Sequence, residues 1–571
     1  MDYNIKIGGA AGQGIQTIGD TLSAVFARSG YHLFSHQDYE SRVRGGHNFT
    51  CIRLSDTPVY APRDPVDVLV ALDNASIERH TGELSSDGKV VYDSGGLKRK
   101  VDDPRFVDVP FVRLAEEHGG RKVMANTVAS GAVLGMLGVE VDLLVEALTR
   151  ALKHPTPEIL EGNERAARAG HSYGVEHCPD CRFAVSGRSV RKMVIEGNQA
   201  IALAAIASGC RFYSAYPMTP STGILNFMAS KAADYGLVVE QAEDEMSAIN
   251  MIQGASFAGV RSMTGTSGGG FALMVEGMSL AGMTETPVVV VLAQRPGPAT
   301  GFPTRTEQSD LLFGLFAGHG EVPRIAFAPG TPEQAFRAVN RAFDLAEKYQ
   351  VPALIITDQH YADSRWTLEG IDPETFVYND YRVGGEAFAE LPEYARHSFT
   401  DSGVSPLAVP GDAPHLVVTD SDEHDEEGHI VEDAETRVKM VEKRLLRKLP
   451  LIGAEMEPPE HYGSDSPEVV LVGWGSNYGV LREAVDALSG EREVAMLHFC
   501  DLWPFPLPAR QEFLEVLRAA RTAICVENNA TGKLAWLIRA ETGFEFAERI
   551  NRFDGRPFTC EGLLEEIDGR L

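Results

Sequence analysis

Residues 286–294, TPVVVVLAQ, decide the fold class. A run this apolar, with no polar residue at alternate positions, suits a strand covered on both faces, as in a parallel sheet sandwiched by helices. The same kind of run recurs at 352–358 (PALIITD), and SMTGTS at 262–267 adds a shorter strand. Helical stretches lie between them: an Ala-rich one at 198–208 and another through 245–254. Strands alternating with helices give a doubly wound α/β unit. Towards the C-terminus VVLVGWGS, VAMLHF and TAICVENN alternate with helical stretches at 480–488, 510–520 and 533–542, which is a second, smaller α/β unit. Towards the N-terminus a third is expected. There YNIKI, the glycine cluster GGAAGQG and a stretch with Ile15, Ile18, Leu22 and Phe26 at helical spacing read as strand, turn and helix. Further strands are expected at 66–73 and 89–95, and a helix at 141–152. Residues 172–191 and 372–450 lose periodicity and read as linkers, the second as a long acidic excursion over the surface.

The chain has 571 residues, too many for one core, since cores stop growing near ~250–300 residues. With 44% hydrophobic and 23% charged residues it is an ordinary globular composition, which excludes a largely disordered or collagen-like protein. Lys and Arg number 52 against 81 Asp and Glu, a net charge of −29 that repels nucleic-acid backbones and anionic lipid surfaces. No stretch approaches the ~18 apolar residues of a membrane span, and no basic, apolar leader opens the sequence. A cytoplasmic protein is expected. The seven cysteines are few and odd in number, so no secreted disulfide framework is expected. Only Cys178 and Cys181 form a CxxC. Two ligands are short of a zinc or iron–sulfur site unless His171 or His177 joins them, and the plainer reading is a loop before a domain boundary.

The glycine turn at 8–14 feeds a helix, whose N-terminal N–H groups make an anion cradle. The dinucleotide fingerprint is not met, because Thr17 stands where its third glycine belongs. Arg42 and Arg44 beside Gly45 and Gly46 suit a phosphate-bearing ligand or an acidic partner surface. In the second unit YPMTPST (216–222) is a stiff loop carrying Thr219, Ser221 and Thr222 at the end of a strand. Acids at 243–245 then run into a small, apolar helix. Such acids are commonly caps, but Glu245 shares a helical face with Ile249 and Ile252 and, facing inward, could share a proton with a ligand nitrogen. Arg295 ends the run that opened this reading, where a lone cation needs a carboxylate or carbonyl. Taken alone it reads as a structural ion pair; with Thr219 and Glu245 it reads as one wall of a crevice.

Several long motifs, in order, resemble one family. YPMTPST, EDEMSAINMIQGASFAG, TGTSGGGFALM, RPGPATGFPTRTEQSDLL and VVLVGWGSN with VENNATGKLA resemble the α subunit of 2-oxoacid:ferredoxin oxidoreductases; GGAAGQGIQT and SRVRGGHNF resemble that family's γ domain, fused ahead of α. DEHDEEGHI followed by MVEKRLLRKL extends the match. The resemblance implies three α/β domains: a γ-type domain at 1–185, a thiamine pyrimidine-binding-like doubly wound domain at 192–372, and a transketolase C-terminal-like domain at 466–571, with 373–465 as linker and surface excursion. It implies thiamine diphosphate, with Glu245 matching the glutamate that hydrogen-bonds the aminopyrimidine ring and so favours the tautomer that takes the thiazolium proton. Pro217 and Thr219 border the cofactor. Thr219, Arg295 and Thr304 match residues around the 2-oxoacid, and Arg42, Arg44, Gly45 and Gly46 are candidates for coenzyme A or another anion.

No GDG sequence of a magnesium–diphosphate site is found, and the cysteines are too few for a cluster. Mg2+ and [4Fe-4S] are therefore expected on a partner β subunit, in an (αβ)2 assembly that passes electrons to ferredoxin. The fused γ–α order points to 2-oxoglutarate, with pyruvate or a broad 2-oxoacid range as the alternative; Arg305, Arg44 and His47 are candidates for the distal carboxylate. An NAD(P) dehydrogenase and a non-catalytic assembly subunit are the readings of other classes.

Overall fold

The structure is a computed structural model that describes residues 1–41, 45–152, 155–178, 181 and 190–571. Two compact units emerge: Met1–Ile195 with Ser364–Ile371 and Thr559–Glu565, and the remainder.

The first unit is built on an eight-stranded sheet. Its order is Phe106–Asp108, Leu84–Tyr92, Val66–Ala71, Asp2–Ala11, Gly45–Ser55, His32–Asp38, Arg365–Leu368 and Met193–Glu196. The first four strands run parallel and Gly45–Ser55 is antiparallel to both its neighbours. The helix Ile15–Arg28 buries Ile15, Ile18, Leu22 and Phe26 on this sheet, the face read from their spacing. Gly14, at φ 82, is its N-cap, a left-handed geometry that a side chain disfavours. One boundary differs from expectation. The helix Pro157–His177 runs through the first residues of the segment read as a linker, because it meets the helix Ala125–Met136 with Ala167, Gly170 and Gly174 rather than large apolar residues.

In the second unit Phe212–Ala215, Val238–Gln241, Ser262–Thr266, Val289–Gln294, Ile325–Phe327 and Ala353–Asp358 form a parallel sheet, with Asp501–Trp503 antiparallel on one edge. Val289–Gln294 is central and buried at every residue. A five-stranded sheet follows, with Val494–Phe499, Val469–Trp474, Thr522–Glu527 and Glu548–Asn551 parallel. Leu292 and Leu354 of the larger sheet share one core with Val472, Trp474, Leu497 and Phe499 of the smaller. The two blocks read as separate units along the sequence are thus one compact body.

The segment 373–465 is not a bare linker. It carries the helices Ala434–Val441 and Lys448–Glu455, and it delivers Lys443 and Lys448 to a fully buried Glu285. His397 Nδ1 lies 3.1 Å from the same carboxylate, and its Nε2 2.9 Å from the Thr419 hydroxyl. Burial alone would raise the Glu285 carboxyl, yet Lys448, Lys443 and His397 hold it well below its ordinary value. Burial pushes Lys448 down to about 8 and His397 down to about 3. A segment fastened by ion pairs shows no hydrophobic period, hence the reading as an excursion. Among the described residues no helix is long and apolar enough to cross a membrane.

Candidate functional site

The C-terminal ends of the strands Phe212–Ala215, Val238–Gln241, Ser262–Thr266 and Val289–Gln294 supply the site, each through the segment that follows. Asp244, at the start of the helix Glu245–Phe257, is its cap: its Oδ1 accepts the Ser247 N–H at 2.7 Å. Glu245 is the first residue inside, and with Asp244 serving as cap it is free to turn inward. It is 3% exposed, on one face with Ile249 and Ile252, and its Oε1 is buried with no hydrogen-bond partner among the described residues. An orphaned buried carboxylate oxygen is costly and calls for a donor.

The space around that oxygen is made by a missing side chain. Gly270 lies in the first turn of the helix Gly268–Met283, and a Cβ there would fall 2.1 Å from Thr266 Oγ1 and 2.4 Å from Glu245 Oε1. The three glycines of SGGGF are visible in the sequence, whereas the carboxylate that Gly270 accommodates lies on another helix. Thr266 Oγ1 is also 3.8 Å from Met218 Sδ, which joins Glu245's surroundings to the loop containing Pro217 and Thr219. That loop is tied down by Ser221 Oγ donating to Met218 O at 2.8 Å and Asn198 Nδ2 to Pro220 O at 2.9 Å.

Thr219 and Arg295 are brought into direct contact, Arg295 Nη1 donating to Thr219 O at 2.8 Å. Burial pushes the half-buried Arg295 guanidinium below its ordinary value, the mark of a cation that gains from an anionic ligand. Thr304 is buried further along the same loop. The structural ion pair weighed for Arg295 is not formed: among the described residues its recorded hydrogen bond is to a carbonyl. Gly45 and Gly46, with φ of 75 and 73, belong to the first unit, whereas Arg42 and Arg44 lie outside the described residues.

Two other features of the sequence take definite form. Cys178 and Cys181 make a disulfide, while His171 Nε2 and His177 Nδ1 donate to the carbonyls of Val139 and Tyr173. Among the described residues no group of three or more His, Cys, Asp or Glu could hold a metal ion. The asparagines of VENN are consumed locally. Glu527 is fully buried and accepts from Leu534 N at 2.8 Å, Ala535 N at 3.1 Å, Asn529 Nδ2 at 2.8 Å and Trp474 Nε1 at 3.2 Å. Asn529 Oδ1 in turn accepts from Gly532 N at 2.7 Å.

The chain is similar to known proteins. Residues 203–443 match the family described as "Pyruvate flavodoxin/ferredoxin oxidoreductase, thiamine diP-bdg", and residues 4–173 that described as "Pyruvate ferredoxin/flavodoxin oxidoreductase". The 2-oxoacid:ferredoxin oxidoreductase subunit alpha of Saccharolobus solfataricus is 31% identical, over 99% of this chain and 97% of its own. The chain belongs to the 2-oxoacid:ferredoxin oxidoreductase α-subunit family. The 2-oxoglutarate oxidoreductase subunit KorA of Mycobacterium tuberculosis is 28% identical over 99% of this chain and 91% of its own. Among solved structures, 2-oxoglutarate:ferredoxin oxidoreductase from Magnetococcus marinus, with 2-oxoglutarate, coenzyme A and succinyl-CoA bound, has a TM-score of 0.90 at 30% identity, covering 100% of this chain and 99% of that one. As a 2-oxoacid:ferredoxin oxidoreductase α subunit, the chain is part of a thiamine-diphosphate-dependent enzyme that acts with partner subunits. Its α/β fold is the one the motifs implied. The residues present suit the aminopyrimidine of that cofactor: an inward carboxylate whose Oε1 has no hydrogen-bond partner among the described residues, beside a glycine and the Thr266 hydroxyl.

Proposed function

We propose that this chain is the α subunit of a 2-oxoglutarate:ferredoxin oxidoreductase, which with a β subunit converts 2-oxoglutarate, coenzyme A and oxidised ferredoxin to succinyl-CoA, carbon dioxide and reduced ferredoxin. The reading rests above all on the orphaned Oε1 of Glu245 in the space that Gly270 leaves. The substrate is supported by the names of the KorA relatives and by the ligands of the Magnetococcus marinus enzyme.

Thiamine diphosphate, when bound, supplies a nucleophilic carbon and a sink for the electron pair released on decarboxylation. Glu245 holds the proton shared with the cofactor's pyrimidine nitrogen, and its burial keeps water from competing for that bond. Pro217 stiffens the loop beside it. Arg295 offers guanidinium donors to the carboxylate and carbonyl of the 2-oxoacid, while Thr219 fixes the guanidinium through its own carbonyl. Thr304 closes the same pocket. Gly45 and Gly46, with Arg42 and Arg44, take an anionic part of coenzyme A in a γ-type domain at 1–185; residues 192–372 form the pyrimidine-binding-like domain and 466–571 the transketolase C-terminal-like domain. Mg2+ and the [4Fe-4S] cluster belong to the β subunit. An (αβ)2 assembly in the cytoplasm, delivering electrons to ferredoxin, completes the proposal.

Co-expression with the β subunit tests it. Ferredoxin reduction dependent on coenzyme A is expected with 2-oxoglutarate, and at much lower kcat/KM with pyruvate or 2-oxoisovalerate. Turnover by the isolated α chain, or a preference for pyruvate, overturns it. Glu245→Gln in the complex is expected to keep its melting temperature and lower kcat by two orders of magnitude or more, on the order of general acid–base contributions.

A further inference from the structure

Between Arg295 and Ser309 the chain forms a Pro- and Gly-rich loop whose internal backbone bonds run from Phe302 N to Pro296 O at 3.0 Å and from Arg305 N to Phe302 O at 3.1 Å. Thr306 adds two bonds to the surroundings, its N–H donating to Gly555 O at 3.4 Å and its hydroxyl accepting the His360 N–H at 3.2 Å, and the densest bonding is at the two bases. At the entry, Gln294 is fully buried: its Nε2 donates to Thr357 O at 3.1 Å and its Oε1 accepts the Asp310 N–H at 2.8 Å, which draws the two ends of the loop together. At the exit stands Gln308, also fully buried. Its Nε2 donates to Trp474 O at 3.0 Å, and its Oε1 accepts from Asn477 Nδ2 and from Asn528 N, each at 3.1 Å. Its backbone N–H donates to Asn528 O at 2.7 Å, and its carbonyl accepts from Asn529 Nδ2 at 3.2 Å.

Those partners all come from the ends of the strands Val469–Trp474 and Thr522–Glu527 or from the turns that follow them. One side chain thus couples the loop carrying Arg295 and Thr304 to the smaller sheet. A buried amide engaged on both its donor and acceptor sides fixes position and orientation together, unlike an apolar contact, which tolerates sliding. We propose that Gln308 is a positioning residue for the reaction: through its bonds to Trp474, Asn477 and Asn528 it sets the loop so that Arg295 and Thr304 meet the 2-oxoacid. This rests on the assignment of those two residues to the substrate.

The test uses the αβ complex with 2-oxoglutarate. Gln308→Met keeps the volume and removes the amide. It is expected to raise KM for the 2-oxoacid about tenfold or more, as a displacement near 1 Å does, with kcat changed less than threefold and KM for coenzyme A unchanged. Asn477→Ala, which removes one of the bonds from the other side, is expected to raise the same KM by a smaller factor. A purely structural role would lower the melting temperature and leave KM intact in the folded complex; that result overturns the proposal. Should Gln308→Met fail to assemble, the Asn477→Ala result decides in the same sense. If Thr304→Ala and Arg295→Gln also leave KM unchanged, the substrate assignment itself has failed; if they raise it while Gln308→Met does not, only the role of Gln308 has.

Discussion

Gly270 and Glu245 occupy each other's space: an added Cβ on the glycine would sit 2.4 Å from Glu245 Oε1 and 2.8 Å from its Cγ. Gly270→Ala therefore has to displace the carboxylate together with the Thr266 hydroxyl, whose Oγ1 would lie 2.1 Å from the new Cβ. Its backbone is ordinary helix, so the fold tolerates the methyl and the acid yields. A fall in kcat of about tenfold or more is expected, with the melting temperature of the complex little changed. Gly269→Ala, whose Cβ would have Ala299 O as its nearest neighbour at 3.8 Å, serves as the control and is expected to be active.

Arg295→Lys keeps the charge and loses the planar fork. A lysine cannot hold the Thr219 carbonyl and present paired donors to a carboxylate at once. The expected result is a KM for the 2-oxoacid raised about tenfold or more, with a smaller effect on kcat, read by steady-state kinetics.

Glu285→Gln removes the carboxylate that two buried lysines share. Stranding them is expected to destabilise the second unit by about 3–5 kcal/mol, or to shift Lys448 to its neutral form at a lesser cost. Denaturant unfolding of the complex measures the loss. Loosening of residues 434–455 ahead of the rest is expected in hydrogen exchange.

His397 makes stability depend on pH. It is neutral in the folded chain down to about 3, while the unfolded chain takes up a proton near the ordinary value of 6.5. Between those limits the unfolded state binds the extra proton, so stability falls as the pH drops from 6.5. The slope is about 1.4 kcal/mol per pH unit for one proton. His360 and His498, both pushed by burial to about 4, act in the same direction. His397→Gln is expected to flatten part of this acid dependence, measured as melting temperature at pH 4.5 against pH 7.

How much was legible follows from the range of each interaction. Val289–Gln294 declared itself because both faces of a central strand are apolar, and the helix Lys533–Thr542 was bounded correctly because its face is regular. Glu245 could be read as inward from its offsets to Ile249 and Ile252, an argument confined to one helix. Lys443 and Lys448 could not, since their carboxylate lies 158 and 163 residues away and a charge run looks like a solvated surface. Gly270 and Gln308 were both in quoted motifs. What each one touches is remote in sequence, so the residue type was visible and its task was not.

Glu527 has a consequence for the division of labour between chains. Doubly wound sheets usually leave the N-terminus of a helix open at the strand ends, where a phosphate docks. Here the helix Lys533–Thr542 meets an anion of its own: the Glu527 carboxylate plugs the two N–H groups of Leu534 and Ala535, and Gly532 N is taken by Asn529. The anion at this helix start is thus internal to the smaller sheet. The place of a phosphate has been filled by a side chain, and the surface where that socket would be is released to serve as a rigid anchor for a neighbouring loop.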